Sequence, residues 1–319
     1  MLDSSLRVAR DSVVSQTCSF AADGRLKSIL KNLRVSQPFN WIATSTVKAV
    51  LRASNRPSEF IIKHLHRVGR IRTRLPNGRM LSLCSWADDW IPNQVYWRGW
   101  DGYEPETVPV FFRLCATASV TVDIGAHVGL YSLLAAHANP KGHVYAFEPM
   151  PNSFARLCTN IGANKLHNVT ALDCAVGDCT GERPFFYTPT DIPCSASLSR
   201  EFMESADTLS HMNVSVIRLD EFGKQRRVGR IDVLKVDTES TEPDVLRGAR
   251  EILQRDRPAI ICEVLRGRGT EGRLDELLRP LGYKYFWLTA DGPLQQEEIV
   301  GRDPWMNYLF TTRPELVVE

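Results

Sequence analysis

The amino-acid sequence predicts an α/β domain with a mostly parallel sheet covered by helices on both faces. Three observations predict it. From residue 119 onward, short β-branched runs alternate with helical runs. A glycine-bearing turn, Val122-Asp123-Ile124-Gly125-Ala126-His127-Val128-Gly129, joins the first of these strands to its helix. An acidic residue, Glu148, then closes the second strand 23 positions after Gly125. Strands that alternate with helices pair in parallel, because each crossover helix packs back on the sheet that it leaves.

Along the chain, residues 1–68 read as a mainly helical extension, with weakly amphipathic stretches near 25–34, 44–53 and 58–66. Polar breaks at Ser36-Gln37-Pro38 and Asn55-Arg56-Pro57 separate them. Residues 69–104 form a second segment. RIRTRLPNGRMLSLC alternates on either side of Pro76-Asn77-Gly78, a strong hairpin signal. An aromatic-rich lead-in follows, with Trp86, Trp90, Tyr96, Trp97, Trp100 and Tyr103. The main domain spans 105–319 and opens with a helix over 105–115. Its strands are expected in ASVTVDIG, HVYAFEP, NVTALDCAV, RIDVLKVD, RPAIICEVL, KYFWLTA and NYLFTT, which makes seven. Helices are expected over LYSLLAAHA, NSFARLCTNIGAN, 242–253 and 271–279. An insertion of about 177–229 is too long for a simple crossover and predicts a hairpin or lid.

Composition narrows the class. Hydrophobic residues make up 43% and charged residues 24% of the 319 positions, as in a globular soluble chain. No run of about 18 apolar residues marks a membrane span. The first residues lack a charged-then-apolar leader, and eight dispersed cysteines read as reduced, mostly buried thiols. A cytoplasmic location is the default expectation. Charge is uneven: residues 1–74 carry a net +10 and the remainder −8. Such an arm suits nucleic acid, an anionic surface or a docking partner. With no aromatic-interleaved basic run, a solvated helical face attracted to the acidic body is the preferred reading. The aromatics and the helical arm are compatible with a homodimer.

The glycine turn is the sharpest signal. Gly125 permits a turn that a side chain would obstruct, and Gly129 opens the helix. The dinucleotide fingerprint is absent, since His127 stands where its middle glycine belongs, which disfavours a dehydrogenase. A phosphate-free nucleoside such as S-adenosyl-L-methionine does not need that approach. In this reading Glu148 accepts hydrogen bonds from the ribose hydroxyls and Asp123 pairs with the methionyl ammonium. Asp173, Cys174 and Ala175 border the adenine, while Ala126 and His127 line the loop. Taken singly, the glycines suit ordinary turns and Glu148 a helix N-terminus; their joint spacing favours a nucleoside site.

With these motifs on the page, the chain resembles the FkbM family of S-adenosylmethionine-dependent methyltransferases. The resemblance rests on VTVDIGAHVGLYSLLAA, VYAFEPMPNSFARLCTNIGAN and NVTALDCAVGD, then SASLS, VIRLDEF, IDVLKVDTESTEPDVLRGA and AIICEVL. The upstream VYWRGWDGYEPET adds to it, and the first 65 or so residues lie outside it. The resemblance implies a seven-stranded, Rossmann-like class I methyltransferase fold that methylates hydroxyls of sugars, glycans or natural-product-like molecules, with S-adenosyl-L-homocysteine as product. It assigns Asp123, Gly125, Gly129 and Glu148 to the cofactor. One departure is Ser240-Thr241, where the family carries Gly-Ala.

Transfer of a methyl to a neutral alcohol calls for positioning and a group to take the proton. Asp237, just past the fourth strand, is the first candidate and Glu239 the second. Lys235 alternates onto the same face as Asp237, so the two are alternatively a pair. Asp237, Glu239 and Glu263 are also oxygen donors of the kind Mg²⁺ takes, although a metal is not the favoured reading. Glu239 and Glu242 equally suit a helix N-terminus. Ser195 and Ser197 match a family segment and are candidates for contact with cofactor or acceptor, although residue type alone favours ordinary loop serines. Two other functions stay open: methylation of nucleic acid through the basic arm, and a cofactor-binding scaffold without turnover.

Overall fold

The computed structural model describes residues 36–51, 59–86, 89–189, 196–203 and 209–318. The expected helical stretch near 25–34, and Cys18, Cys194 and Ser195, lie outside the described residues. The chain divides into two units, 1–70 with 85–89, and 71–84 with 90–319.

In the first unit, helix α1 (Gln37–Leu51) begins where the sequence suggested a break. Proline suits a first helical turn, whose N–H groups have no helical partner in any case. The side chains that α1 buries are polar, Asn40 and Thr44. Asn40 donates Nδ2 to the His66 carbonyl (2.8 Å) and accepts the Val68 N–H at Oδ1 (2.8 Å). Arg67 Nη1 donates to Thr44 Oγ1 (2.6 Å) and to the Trp41 carbonyl (3.0 Å). Hydrogen bonds rather than an apolar stripe therefore hold α1 to the segment after helix α2 (Glu59–His64).

The predicted hairpin forms from strands β1 (Val68–Arg74) and β2 (Met80–Trp86). Its turn closes with the Leu75 N–H donating to the Arg79 carbonyl (2.8 Å). Two asparagine side chains then fix the hairpin's edge: Asn164 Oδ1 accepts the Ser82 N–H and Asn160 Oδ1 the Cys84 N–H, both at 2.8 Å. The aromatic-rich stretch coils into α3 (Trp90–Arg98) and a 3-10 segment, Gly99–Gly102. Helix α4 (Val108–Cys115) starts later than expected, behind Pro105.

The main sheet is built from β3 (Val120–Ile124), β4 (His143–Phe147), β5 (Val169–Leu172), β10 (Val233–Val236), β11 (Ala259–Glu263), β12 (Lys284–Thr289), β13 (Gly292–Gln296) and β14 (Asn307–Thr311). Eight strands run in the order β13-β12-β14-β11-β10-β3-β4-β5, one more than the seven expected. The first five in chain order pair in parallel, and β14, β12 and β13 add antiparallel pairs. The extra strand is the edge β13, joined to β12 through the two residues Ala290 and Asp291, with Gly292 (φ +103) opening the strand opposite Thr289. A second correction concerns NVTALDCAV. It divides into β5 and a two-residue strand, β6 (Ala175–Val176), which leaves the main sheet.

Strand β6 joins a second sheet formed by the insertion, with β7 (Gly181–Tyr187), β8 (Ala196–Ser197) and β9 (Ser210–Ile217) in the order β6-β9-β7-β8. The expected hairpin is the antiparallel β7/β9 pair. Helix α7 (Arg200–Met203) follows β8, and α8 (Leu219–Gln225) leads back to β10.

Helices α5 (Leu130–Ala138) and α6 (Pro151–Ala163) follow β3 and β4 as expected. The helix expected over 242–253 is two: α9 (Glu242–Gly248) and α10 (Arg250–Asp256). Helix α11 (Glu271–Leu278) precedes the C-terminal strands, and α12 (Glu315–Val318) ends the described chain. Alternate residues of each strand feed two cores. One face packs Val144, Val233, Ile261 and Leu309 under Phe111, Leu130, Leu133 and Leu134 of α4 and α5. The other packs Val122, Ile124, Leu234 and Val236 under Leu246, Ile252 and Leu274. This is the three-layer, Rossmann-like arrangement that the strand–helix alternation predicts. Of the six described cysteines, all free, only Cys115 and Cys262 are buried; Cys158 is exposed, so the thiols are not mostly buried. Among the described residues, no helix is long and apolar enough to cross a membrane.

Candidate active site

The chain runs outward from β3 through β4 to β5, then returns to place β10 and β11 on the other side of β3. Between β3 and β10 the connections diverge, and open α/β sheets bind ligands at such a switch point. Backbone hydrogen bonds fix the loops there. Gly125 and Ala126 donate N–H to the Phe147 carbonyl (3.1 and 2.9 Å), and Asp237 donates to the Ile124 carbonyl (3.0 Å). A cavity of about 330 Å³ opens between them.

Gly125 and Gly129 earn their type by packing. Gly125 has φ +80, and a Cβ there would lie 1.8 Å from the Asp237 carbonyl oxygen. Glycine thus admits the end of β10, not only a ligand, and brings Asp237 and Thr238 beside the loop. Gly129 has φ +90, and a Cβ would meet Leu157 Cδ1 at 2.5 Å.

Of the residues singled out from the sequence, Gly125, Ala126, His127, Glu148, Ala175, Asp237 and Glu239 line the cavity. Asp123, Gly129, Asp173 and Cys174 are not on its wall. Asp123 is buried and accepts a hydrogen bond from Ser132 Oγ at 2.6 Å. Asp173 is exposed, and Cys174 packs against the core beneath. Ser197 is buried and donates to the Glu239 carbonyl (2.7 Å), so it holds the β10 loop from behind.

Glu148 receives the N–H of His127 at Oε2 (2.7 Å) and that of Met150 at Oε1 (2.8 Å). A carboxylate has about four acceptor sites, so two remain for a ligand's hydroxyls. Burial pushes its carboxyl up to about 7. His127 stands at φ +50, and its Nε2 is buried without a partner. Burial lowers its imidazole to about 4, so it is neutral at physiological pH.

The ends of β10 and β11 carry the acids. Lys235, 1% exposed, donates Nζ to Asp237 Oδ2 (2.8 Å) and sits 4.7 Å from the Tyr131 ring centroid. The pair left open by the sequence therefore exists. Burial alone would discharge Lys235; the Asp237 and Glu104 carboxylates outweigh it and hold the ammonium charged. Glu239 (φ +55) and Ser240 (φ +79) are successive left-handed residues. Burial, then the charges of Asp237 and Glu242, push Glu239 up to about 8. Glu263 lines the cavity, its Oε2 is unpartnered, and burial raises it well above the ordinary range. Glu242, in the first turn of α9, ties down the preceding loop rather than capping the helix: its Oε1 accepts the N–H groups of Thr238 (3.0 Å) and Ser240 (3.1 Å). Among the described residues, no group of three His, Cys, Asp or Glu is arranged to hold a metal ion.

Sequence reasoning missed Glu104 and Tyr131, which line this wall beside Tyr103 of the aromatic-rich stretch, and Asn307, which with Tyr131 donates a hydrogen bond to Glu104. The only signal was the YEPET run.

The fit to S-adenosylmethionine is chemical. A glycine loop with free wall, a recessed carboxylate with spare acceptor sites and an orphaned neutral imidazole suit a nucleoside without phosphates. The model of the methyltransferase FkbM domain matches residues 123–285. Methyltransferase sdnD of Sordaria araneosa is 28% identical over 188 residues, 51% of this chain and 72% of that protein. The 31-O-demethyl-FK506 methyltransferase FkbM of Streptomyces tacrolimicus shows the same identity and coverage. The hexuronic acid methyltransferase AglP of Haloferax volcanii is 26% identical over 151 residues, 47% of this chain and 58% of AglP.

Proposed function

Because this chain belongs to the FkbM family of S-adenosylmethionine-dependent methyltransferases, we propose that its cavity methylates a hydroxyl oxygen of a sugar or natural-product-like small molecule. The observation that carries the reading is one cavity whose wall holds both the Gly125 loop with Glu148 and the acid-bearing ends of β10 and β11. Relatives named for methylation of 31-O-demethyl-FK506 and of a hexuronic acid support the acceptor class.

When bound, the cofactor supplies an electrophilic methyl on a sulfonium, whose loss leaves a neutral thioether. The Gly125–His127 loop and Glu148 bind its nucleoside. Asp237 takes the proton of the acceptor hydroxyl. Lys235 holds Oδ2 of that carboxylate and leaves Oδ1 for the acceptor. Glu239, pushed up to about 8, keeps its proton at neutral pH and donates a hydrogen bond that orients the acceptor. Positioning supplies most of the acceleration, since no covalent intermediate with the protein is needed.

The test begins with calorimetric titration of S-adenosylhomocysteine into wild type and Glu148→Ala, where weakening of about tenfold or more is expected, about 1.4 kcal/mol. Transfer from methyl-tritiated cofactor to a panel of glycosides, uronosides and macrolide alcohols follows. Asp237→Asn should lower kcat by about 100-fold or more with the affinity for S-adenosylhomocysteine kept. Glu239→Gln should cost less than about tenfold. Label that enters RNA instead of the panel would overturn the acceptor class.

A further inference from the structure

Glu104 has no part in the reaction as described, yet it sits on the cavity wall with Tyr103 and Tyr131. It follows the 3-10 segment with φ +43, a conformation that costs a non-glycine residue about 1 kcal/mol or more. Its contacts hold it there. Oε2 accepts hydrogen bonds from the Tyr131 hydroxyl and from Asn307 Nδ2 (3.1 Å). Tyr103, its neighbour in the chain, lines the same stretch of wall.

We propose that Glu104 receives the α-ammonium of the cofactor's aminoacyl tail, the role that the sequence had assigned to Asp123. The inference rests on the cavity being the S-adenosylmethionine site. Asp123 is excluded from the role by placement: it is off the wall and its Oδ2 is taken by Ser132. Glu104 is on the wall, and Tyr131 in the first turn of α5 ties it to the glycine loop.

Surplus acceptors surround it. Asn307, 3% exposed, gives Nδ2 to Glu104 and leaves Oδ1 buried with no partner. Directly opposite in the β11/β14 ladder, Glu263 also leaves Oε2 unpartnered. Lys235 is the cation that Asp237, Glu104 and Asp123 share. An ammonium brings a positive charge and three donors to this corner, whereas an acceptor hydroxyl brings one donor. Charge-assisted hydrogen bonds of this kind are also the stronger ones. Glu104 thus selects the tail, and Asp237 and Glu239 remain free for the methyl acceptor.

The test compares two probes on the full chain: S-adenosylhomocysteine, which has the tail, and 5′-deoxy-5′-methylthioadenosine, the same nucleoside thioether without it. Glu104→Gln should weaken S-adenosylhomocysteine at least about tenfold and leave the truncated probe within about twofold. Equal losses, or no loss for either probe, overturn the proposal. So does Asp123→Asn if that variant, and not Glu104→Gln, selectively loses the tailed probe. Should Glu104→Gln not fold, Glu104→Asp carries the same comparison, because it retracts the carboxylate by one methylene. Failure of the wild type to bind either probe would instead sink the cofactor-site reading beneath it.

Discussion

Glu148 and Glu263 stand at the carboxyl ends of β4 and β11, three strand spacings apart in one sheet, about 14 Å. Both line the same cavity, yet the fold treats them differently. Each oxygen of Glu148 accepts a backbone N–H. Glu263 leaves Oε2 unpartnered, and near it Glu239 stands on a left-handed loop with its carboxyl pushed up to about 8. The Glu148 carboxylate is therefore held in place by the fold, while Glu263 on the β10/β11 flank is completed by what binds there. A satisfied carboxylate is a rigid docking point. An unsatisfied one is a group whose proton and orientation the ligand still decides.

The largest expected effect breaks the junction of the two flanks. Gly125→Ala places a Cβ 1.8 Å from the Asp237 carbonyl at φ +80. It should destabilise by about 3 kcal/mol or more and abolish S-adenosylhomocysteine binding, as read by thermal melting and calorimetry. A variant that melts like wild type would show that the flanks are not locked together at this contact.

A smaller effect sharpens the contrast through pH. Glu239 is pushed up to about 8, and Glu148 and Glu242 up to about 7, chiefly by burial. Unfolded carboxyls titrate near 4.3. Between these values the folded state holds more protons, so stability is full below the unfolded value and is lost as pH rises through the folded ones. The ligand-free protein should therefore melt at progressively lower temperature from about pH 5 to about pH 8. Glu148→Gln should flatten the decline up to about pH 7, whereas Glu239→Gln should also remove the part between about 7 and 8. A melting temperature independent of pH over this window would remove the distinction.

The smallest effect concerns Ser240, at φ +79 with its Oγ buried and unpartnered. Ser240→Gly should raise stability by about 1 kcal/mol, measured by denaturant unfolding, because glycine adopts this conformation without strain. If activity is unchanged, the Ser240-Thr241 departure from the family is a matter of stability alone.

Much of the second unit was legible in the sequence. Period-two and helical runs marked β3 to β5, β10 and β11 with their helices, because those patterns depend on which side of an element is buried. Asp-Gly in LTADGPLQQ signalled β13 as clearly as Asn77-Gly78 signalled the first hairpin, but a polar edge strand has little hydrophobic alternation to notice. In the site, the glycine loop, Glu148, Asp237 and Glu239 were legible because each follows a strand at a recognisable distance. Glu104 and Asn307 were not, since the one contact between them crosses 203 positions of chain.

What the sequence by itself determined is local: the strand–helix alternation, the left-handed turn at Gly125, and acids at the carboxyl ends of strands. These follow from backbone sterics and from the burial period of a few neighbouring residues. The tertiary structure decided what those acids do. Only the packing of Lys235 beneath Tyr131 and beside Asp237 makes a buried ammonium stable. Only the position of Asp123 behind Ser132 takes it off the cavity wall, and only the Tyr131–Asn307 bracket puts Glu104 on it. Electrostatic roles depend on desolvation and on charges a few ångströms away, and neither quantity is carried by the order of residues along the chain.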